Sequence, residues 1–453
     1  MTAQHSGVSP RSASVWWLSP VGAVCLLTLP TLALAAGTSD VRFRFAWGSP
    51  KVLTSGTAFL LLCGALVFML AAALPHLRPA STMQTTWPDF TDSQNRLVAR
   101  AAGPLFWLTM TGYAAFVIAL YRNGVTLGAV LQALVGQSNF GSGSIKGSFI
   151  SSKIPGVTTL TQVDVAFVVV AMLVLVQKRN ARLRRRLVFT LVCALLRASL
   201  ISERLAILEL LIPMAAVYSF RQVSARGRRG RSLVLLAPAI LIPAVLVVFG
   251  AFEYSRSWTF YRTRTTTSYA QFTVERFAGY YATAYNNGQL ALSYETYPGR
   301  VPYDTLEALW TFPGAKLFGG YPAPPHVFPV TEHAIDLKLH GNPEYNSPGG
   351  LVTPFVDWGT RGGFVFLALA GGAFGVLYRR CVDGNTFAVV LYPSLTTGLF
   401  ELPRYVYWSL GRFTPSLVAL CVLGYMLGKR NDDAPAEESQ QRVDERVAVH
   451  QDA

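Results

Sequence analysis

Arginine and aromatic side chains concentrate in the stretch from residue 253 to residue 358. A guanidinium binds phosphate oxygens in a bidentate manner, and aromatic faces stack on the C–H surfaces of sugars. The combination suits a ligand with phosphate and sugar parts, and Arg262, Arg264 and Arg276 are candidates to bind it. The alternative is an interfacial aromatic belt with snorkelling arginines.

Glu275, His333 and His340 are the candidate general bases of the same stretch. A carboxylate or an imidazole can accept a proton from a reacting hydroxyl. His333 and His340 are seven residues apart, a spacing that aligns them roughly on one face of a helix. No HExxH motif and no close carboxylate spacing accompanies them, so we expect no metal site and no other cofactor.

The segment "NPEYNSPGGLVTPFVDWGTRGG" (342–363) joins turn residues to the start of an apolar run. Asp357 is a candidate N-cap for the helix that follows, and the dipole and free N–H groups of such a helix favour an anion beside Arg361. Asn342 and Asn346 either bind sugar hydroxyls or hold the turn. An ordinary capped membrane helix accounts for Asp357 as well as an anion site does. Arg361 is the residue that it accounts for least.

Charged residues also interrupt two apolar stretches, "LLRASLISERLAILELLIP" (195–213) and "GLFELPRYVYWSLGRF" (398–413). Ionisable residues beside a membrane cavity are functional candidates by default, although snorkelling at the membrane surface competes with that interpretation. Arg204 in the first stretch is a candidate for holding a diphosphate, and Arg404 in the second is a candidate for binding substrate.

The composition is that of a membrane protein. The 453 residues are 51% hydrophobic and 14% charged, whereas soluble domains have about 25% charged residues. The net charge is +15, but basic clusters between apolar runs are typical of cytoplasmic loops, so we expect no nucleic-acid partner. The five cysteines show no paired spacing and indicate no disulfide framework.

A membrane-spanning helix needs about 20 apolar residues. Runs that meet this requirement are found at about 15–36, 52–75, 102–121, 162–177, 233–252, 359–378, 386–402 and 413–428.

Residues 187–220 predict a short hairpin of two further spans. Basic clusters at 178–186 and 225–231 flank this segment, and both are expected to be cytoplasmic. A single helix would be about 51 Å long and would place the two clusters on opposite sides. Two helices of about 17 residues each would return the chain to the same side of the membrane, so both clusters would be cytoplasmic. Their turn lies near Ala198–Arg204, with Arg204 at the start of the second helix.

The predicted fold is therefore an all-α polytopic membrane protein with about ten transmembrane helices and both termini cytoplasmic. A helix over 271–295 is expected to lie along the membrane surface, and 124–137 predicts an interfacial or re-entrant helix on the outer side. The chain divides into N-terminal membrane helices (1–252, with the hairpin at 187–220), a large external loop (253–358), C-terminal membrane helices (359–428) and a disordered cytoplasmic tail (429–453).

With these features the chain resembles the Wzy-type oligosaccharide repeat-unit (O-antigen) polymerases. The resemblance is carried by "SER" (202–204) in the hairpin, by "ERFAGYYATAYNNGQ" (275–289) and "DTLEALWTFPG" (304–314) in the large loop, and by the segment 342–363. It covers most of the chain from about 100 to 428. A matched pair of arginine-rich repeats, found in some members, is not present.

The resemblance implies a GT-C-like glycosyltransferase of the inner (cytoplasmic) membrane. It would polymerise undecaprenyl-diphosphate-linked oligosaccharides on the outer face, for a surface polysaccharide such as a capsule or exopolysaccharide. No metal and no nucleotide sugar would be needed. A flippase and a chain-length regulator are possible partner proteins besides the lipid bilayer.

That chemistry gives the candidate residues their expected roles. The lipid diphosphate leaves with developing negative charge that cations stabilise, and Arg204, Arg276 and Arg361 come first for this role, followed by Arg262 and Arg264. Glu275, His333 and His340 remain the candidate bases.

Other functions stay open at this point. An O-antigen-type ligase uses the same donor with a different acceptor, and histidines in the large loop are compatible with it. A glycosyltransferase using a polyprenyl-phosphate sugar is also possible, although 37–51 offers only Asp40 as an acidic residue. A transporter or flippase would be expected to show inverted repeats and broken helices, which the sequence does not show.

Overall fold

A computed structural model describes residues 14–77, 90–126, 128, 154, 156–201, 205–225, 228–263, 266–294, 302–311 and 329–429. Every regular element in these ranges is helical. Six of the helices are long and apolar enough to cross a membrane. The chain is therefore an all-α polytopic membrane protein, as its composition predicts.

The helices of the described ranges follow one another along the chain. They are α1 (Pro20–Gly37), α2 (Asp40–Trp47), α3 (Ser55–Leu77), α4 (Asp92–Arg122), α5 (Thr158–Leu175), α6 (Ala181–Ile201), α7 (Leu205–Ala225), α8 (Arg228–Leu235), α9 (Ala237–Glu253), α10 (Tyr269–Tyr294), α11 (Glu307–Thr311), α12 (Pro329–His340), α13 (Thr353–Val382), α14 (Thr386–Glu401) and α15 (Thr414–Lys429).

Helices occupy all eight apolar runs that the sequence marks. These helices are α1, α3, α4, α5, α9, α13, α14 and α15. Six helices are long and apolar enough to cross a membrane, namely α1, α3, α4, α5 and α13 of this set and α7 of the hairpin, and α9 and α15 are shorter apolar helices. Of the segment 124–137, only 124–126 and 128 belong to the described residues, so the interfacial helix predicted there lies almost wholly outside them.

The hairpin forms from α6 and α7, which pack against each other. Each helix has 21 residues, more than the roughly 17 that the hairpin argument requires. The extra length comes from the basic flanks, since α6 already begins at Ala181 and so includes Arg182–Arg186. The connection at 202–204, including Arg204, lies outside the described residues.

Polar contacts distinguish two ends of the helix bundle. At one end Lys178 forms an ion pair with Asp92, and Arg379 donates to the carbonyl of Pro75. We call it the basic end, and it contains Lys178, Arg182–Arg186, Arg379 and Arg380. The other end, called the loop end, consists of residues 38–54, α10, 302–311, 329–352 and 402–413.

Small residues bring α3 and α13 into backbone contact. A Cβ atom at Gly371 would collide with the carbonyl of Phe68, and one at Gly375 would collide with the carbonyl of Ala72. The two glycines are four residues apart, so they lie on one face of α13, where small residues allow helices to approach closely. Gly359 has φ +67° and bends the first turns of α13 away from the rest.

The expectation that α10 lies along the surface is wrong for its second half. Residues 281–291 are almost all buried beneath 345–352 and against α1. The hydroxyl of Tyr285 donates to the carbonyl of Thr28 at 3.0 Å, and a Cβ atom at Gly288 would overlap the side chain of Val352. Alanine and glycine at 282, 284, 288 and 291 leave room for this packing.

Candidate functional site

A partly open cavity of about 230 Å³ lies at the loop end, between α10, α11, α12 and residues 402–413. A cavity of about 150 Å³ holds a benzene molecule, so this one has room for about one sugar ring. Its lining residues are Ala291, Tyr303, Asp304, Glu307, His333, Asn346, Pro348, Thr353, Val356, Tyr405, Val406 and Leu410.

Asp357 fixes one wall of the cavity. Its carboxylate accepts hydrogen bonds from the backbone N–H and the hydroxyl of Thr305, both at 2.7 Å. The indole of Trp358 donates to the same hydroxyl at 2.9 Å. Asp357 is therefore not the predicted N-cap, because α13 already begins at Thr353 and the carboxylate is used to hold the segment that carries Tyr303 and Glu307.

Glu307 begins α11 and places its carboxyl group in the cavity wall. Burial raises the pKa of Glu307, whereas the backbone N–H of Gly411, the charge of Arg412 and the hydroxyl of Thr311 favour its ionised form. The Gly411 nitrogen lies 3.4 Å from one carboxyl oxygen. Burial therefore makes this carboxyl group a stronger proton acceptor than a carboxyl group in water.

His333 contributes an imidazole to the same cavity. Burial lowers the pKa of His333 to about 4, and a hydrogen bond with the backbone of Asn346 opposes this shift only in part. The imidazole is therefore neutral at neutral pH. A neutral imidazole can accept a proton, so His333 is the best placed of the three predicted bases.

Arg404 lies behind the cavity wall. It forms an ion pair with Glu401 at 2.9 Å and donates to the hydroxyl of Ser347 at 3.2 Å. The same hydroxyl donates to that of Tyr405 at 3.1 Å. Arg404 thus ties the 345–348 segment to the end of α14, with its charge balanced by Glu401.

Arg276 is 7% exposed and holds two carboxylates. Its guanidinium lies 3.3 Å from Glu253 and 2.7 Å from Glu344, and it donates to the hydroxyl of Tyr345 at 3.1 Å. Neighbouring Glu275 accepts from Gln271 at 3.0 Å on the other side of α10. The geometry gives Arg276 a structural ion-pair role, joining α9, α10 and the segment before α13.

The remaining candidates lie apart from the cavity. Asn342 holds the turn, because it donates to the carbonyl of Trp47 and accepts from the N–H of Glu344. His340 stacks on Tyr294 with ring centroids 4.4 Å apart. Arg262 and Arg361 are exposed, and Arg204 and Arg264 lie outside the described residues.

The cavity also contains residues that the sequence did not mark as candidates. Tyr303, Asp304, Glu307 and Tyr405 line it. Asp304 and Glu307 belong to the quoted motif "DTLEALWTFPG", where two acidic residues three apart precede an apolar helix start. In the described part of the chain no group of three or more His, Cys, Asp or Glu residues is placed to hold a metal ion.

The fold and this site define a polytopic helical membrane protein with a cavity at one end of its bundle, whose mixed lining includes Asp304, Glu307 and His333. Comparisons of the chain with protein-family models, with curated proteins and with solved structures find no match.

Proposed function

We propose that the protein is a metal-independent glycosyltransferase that polymerises oligosaccharide repeat units carried on undecaprenyl diphosphate. The observation that supports this most directly is the cavity at the loop end. It has room for about one sugar ring and is lined by Glu307, a neutral imidazole at His333 and the phenols of Tyr303 and Tyr405. Thr353 and Val356 of its lining belong to α13, a helix long and apolar enough to cross a bilayer.

The proposed topology has ten crossings, with helices alternating between the two ends. The start of α4 and the end of α15 meet at the basic end, where Gln94 donates to the carbonyl of Leu427. The starts of α7 and α15 meet at the loop end, where Glu209 pairs with Arg412. With the basic end in the cytoplasm, the cavity faces the outer side of the inner membrane and both termini are cytoplasmic.

The proposed reaction joins two lipid-linked glycans. A hydroxyl of the incoming unit attacks the anomeric carbon of the growing chain, and its proton passes to a base of the cavity. The bond between that carbon and the diphosphate oxygen breaks, and the electron pair leaves with the lipid diphosphate. Of the three predicted bases, His333 is the one that lines the cavity, and the carboxyl group of Glu307 is a second proton acceptor there.

The leaving diphosphate requires cations that carboxylates do not already neutralise. Arg276 and Arg404 are held in ion pairs. We therefore assign the headgroup to the exposed Arg262 and Arg361. Arg204 and Arg264 lie outside the described residues and stay candidates on the sequence alone. Arg361 follows the bend at Gly359 in the first turns of a long apolar helix, a position suited to a lipid headgroup.

Deleting the gene and examining the surface glycan tests the function. A polymerase mutant keeps single repeat units on the cell surface and loses the long chains. A ligase mutant accumulates polymer on the lipid carrier, and a flippase mutant retains single units on the cytoplasmic side. Unchanged glycan length overturns the proposal.

Point variants in the deletion strain test the assigned roles. Arg204→Ala and Arg361→Ala should shorten the chains at normal protein level, because each removes a proposed headgroup cation. Arg44→Gln is a matched control, since Arg44 is exposed and pairs with Asp40 away from the cavity. Normal polymer from both alanine variants contradicts the headgroup assignment.

A further inference from the structure

A group of ionisable side chains is buried between α4, α5, α6 and α7. Asp164 and Glu209 are each 1% exposed and Arg197 is 5% exposed. The hydroxyl of Tyr113 donates to Asp164 at 2.8 Å, and Arg197 donates to the hydroxyl of Thr161 at 2.7 Å. The charge of Arg197 also acts directly on Asp164.

Gln162 and Arg412 extend this group towards the loop end. With its amide oxygen facing Arg197, at 3.1 and 3.2 Å, Gln162 donates to Glu209 at 3.0 Å. The other carboxyl oxygen of Glu209 lies 3.0 Å from the guanidinium of Arg412. Gln162 and Glu209 thus connect the buried Arg197 to the partly exposed Arg412.

Arg412 links the buried group to the cavity. Its neighbour Gly411 donates a backbone hydrogen bond to Glu307, and the charge of Arg412 acts on the Glu307 carboxyl group. One guanidinium therefore lies between a carboxylate inside the bundle and a carboxyl group in the cavity wall.

Among the described residues, Asp164, Glu209 and Glu307 are the carboxyl groups of this network, and Arg197 and Arg412 are its cations. Ionised groups inside a membrane bundle are costly unless paired, so the charge of each carboxyl group depends on the arginine beside it. Glu307 is the member of the network that lines the cavity, where a proton can be exchanged with substrate or water.

We propose that Glu307 is the proton-exchanging group of the cavity, and that Arg412 and Glu209 are positioning residues that set its charge from inside the bundle. The inference rests on the proposed function and adds its catalytic carboxylate. Glu307 takes the proton of the acceptor hydroxyl as the new glycosidic bond forms, the lipid diphosphate leaves with the electron pair, and Glu307 then releases the proton to water.

Other titratable and charged groups lie near Glu307. Asp304 and Tyr303 precede it in the chain, His333 faces the cavity from α12, and Tyr405 and Arg412 come from the segment between α14 and α15. Of these, Arg412 is the one that is anchored in the bundle through Glu209.

The proposal predicts opposite effects from two variants. Arg412→Gln removes a cation that favours the carboxylate, so the pKa of Glu307 rises and the acidic limb of the pH–rate profile moves to higher pH. Glu209→Gln removes the carboxylate that balances Arg412, so the acidic limb moves to lower pH. The shift in Arg412→Gln should be the larger of the two, because Glu209 pairs with Arg412 and acts on Glu307 through it.

The assay uses purified protein in nanodiscs and lipid-linked single repeat units extracted from the deletion strain. Arg412→Lys keeps the charge and should leave the limb in place, and Arg44→Gln is the distant control. Limbs that do not move, or that move in the same direction, overturn the proposal. If Glu209→Gln does not yield folded protein, the Arg412→Gln and Arg412→Lys pair decides alone, and only the glutamine variant should shift the limb.

A measurement without substrate separates this proposal from the proposed function. The infrared band of a protonated carboxyl group is titrated in wild type, Glu307→Gln and Arg412→Gln. We expect one titrating component to be lost in Glu307→Gln and to titrate at higher pH in Arg412→Gln. If both variants titrate like the wild type, the proposal fails, whether or not the protein polymerises glycans.

Discussion

At the scale of residues, the sequence identifies charged side chains but not their partners. Arginine types and positions predicted phosphate binding at Arg276 and substrate binding at Arg404, whereas the fold brings carboxylates to both. Those carboxylates come from Glu253 and Glu401, at the ends of α9 and α14, and from Glu344 in the segment before α13. Which helix end meets which arginine depends on tertiary packing, and the spacing of residues in the chain does not show it.

The ion pair of Arg276 should be important for stability. Arg276→Gln leaves the buried carboxylate of Glu253 without its cation, and breaking such a pair costs about 3–5 kcal/mol. Thermal unfolding of the purified protein in detergent measures the loss. The double variant Arg276→Gln with Glu253→Gln should be more stable than Arg276→Gln alone. An Arg276→Gln protein that unfolds like wild type and yet makes no polymer would instead place this guanidinium on the substrate.

His333 should make stability depend on pH below neutrality. Its pKa is about 4 in the folded protein and about 6.5 in an unfolded chain, so on acidification the unfolded chain binds the proton first. This contribution is fully present above about pH 6.5, is lost as the pH falls towards 4, and amounts to about 3 kcal/mol at most. Unfolding free energies at several pH values should fall less steeply for His333→Gln than for wild type. Parallel curves would show that His333 is not buried as a neutral group.

At the scale of elements, helix existence could be predicted and helix environment could not. Bilayer thickness sets the length of an apolar run, so all eight runs and the 187–220 hairpin correspond to helices. The burial of α10 and the role of Asp357 depend on what packs above them. Tyr345, Ser347 and Thr305 supply those contacts from segments 52 to 60 residues away.

The contact between α3 and α13 makes a graded prediction for three neighbouring glycines. Gly371→Ala and Gly375→Ala should lower the melting temperature, because the new methyl groups collide with backbone carbonyls of α3 and overpacking costs about 1–3 kcal/mol. Gly372→Ala is the matched control, since nothing lies within 4 Å of its Cβ position. Alanine there should leave stability unchanged or raise it by up to about 1 kcal/mol, because it favours the helix. Equal effects at all three positions would contradict the close approach of the two helices.

At the scale of the whole molecule, the distribution of positive charge indicates orientation. Lys178, Arg182–Arg186, Arg379 and Arg380 gather at one end, as expected for the cytoplasmic side. The basic residues near the start of α3 lie at the loop end and are exceptions to this distribution. Their local contacts account for them. Arg44 pairs with Asp40 at 2.9 Å, and the ammonium of Lys51 donates to the carbonyls of Ala36 and Thr38 at the end of α1. A cation is favourable at that position because the C-terminal end of a helix carries partial negative charge.

Single cysteines at the two ends test this orientation. The five native cysteines, Cys25, Cys63, Cys193, Cys381 and Cys421, are first replaced by serine or alanine, with polymer length as the check on function. Val41→Cys and Pro343→Cys then place an exposed thiol at the loop end, and Arg182→Cys and Arg380→Cys place one at the basic end. A membrane-impermeant maleimide should label the first two in intact spheroplasts and the second two only after lysis.

The reverse pattern would put the cavity on the cytoplasmic side, where it could not act on repeat units presented at the outer face. Labelling of Val41→Cys and Pro343→Cys from opposite sides would instead mean that the first two crossings, or the connection from α9 to α13, do not follow the proposed alternation.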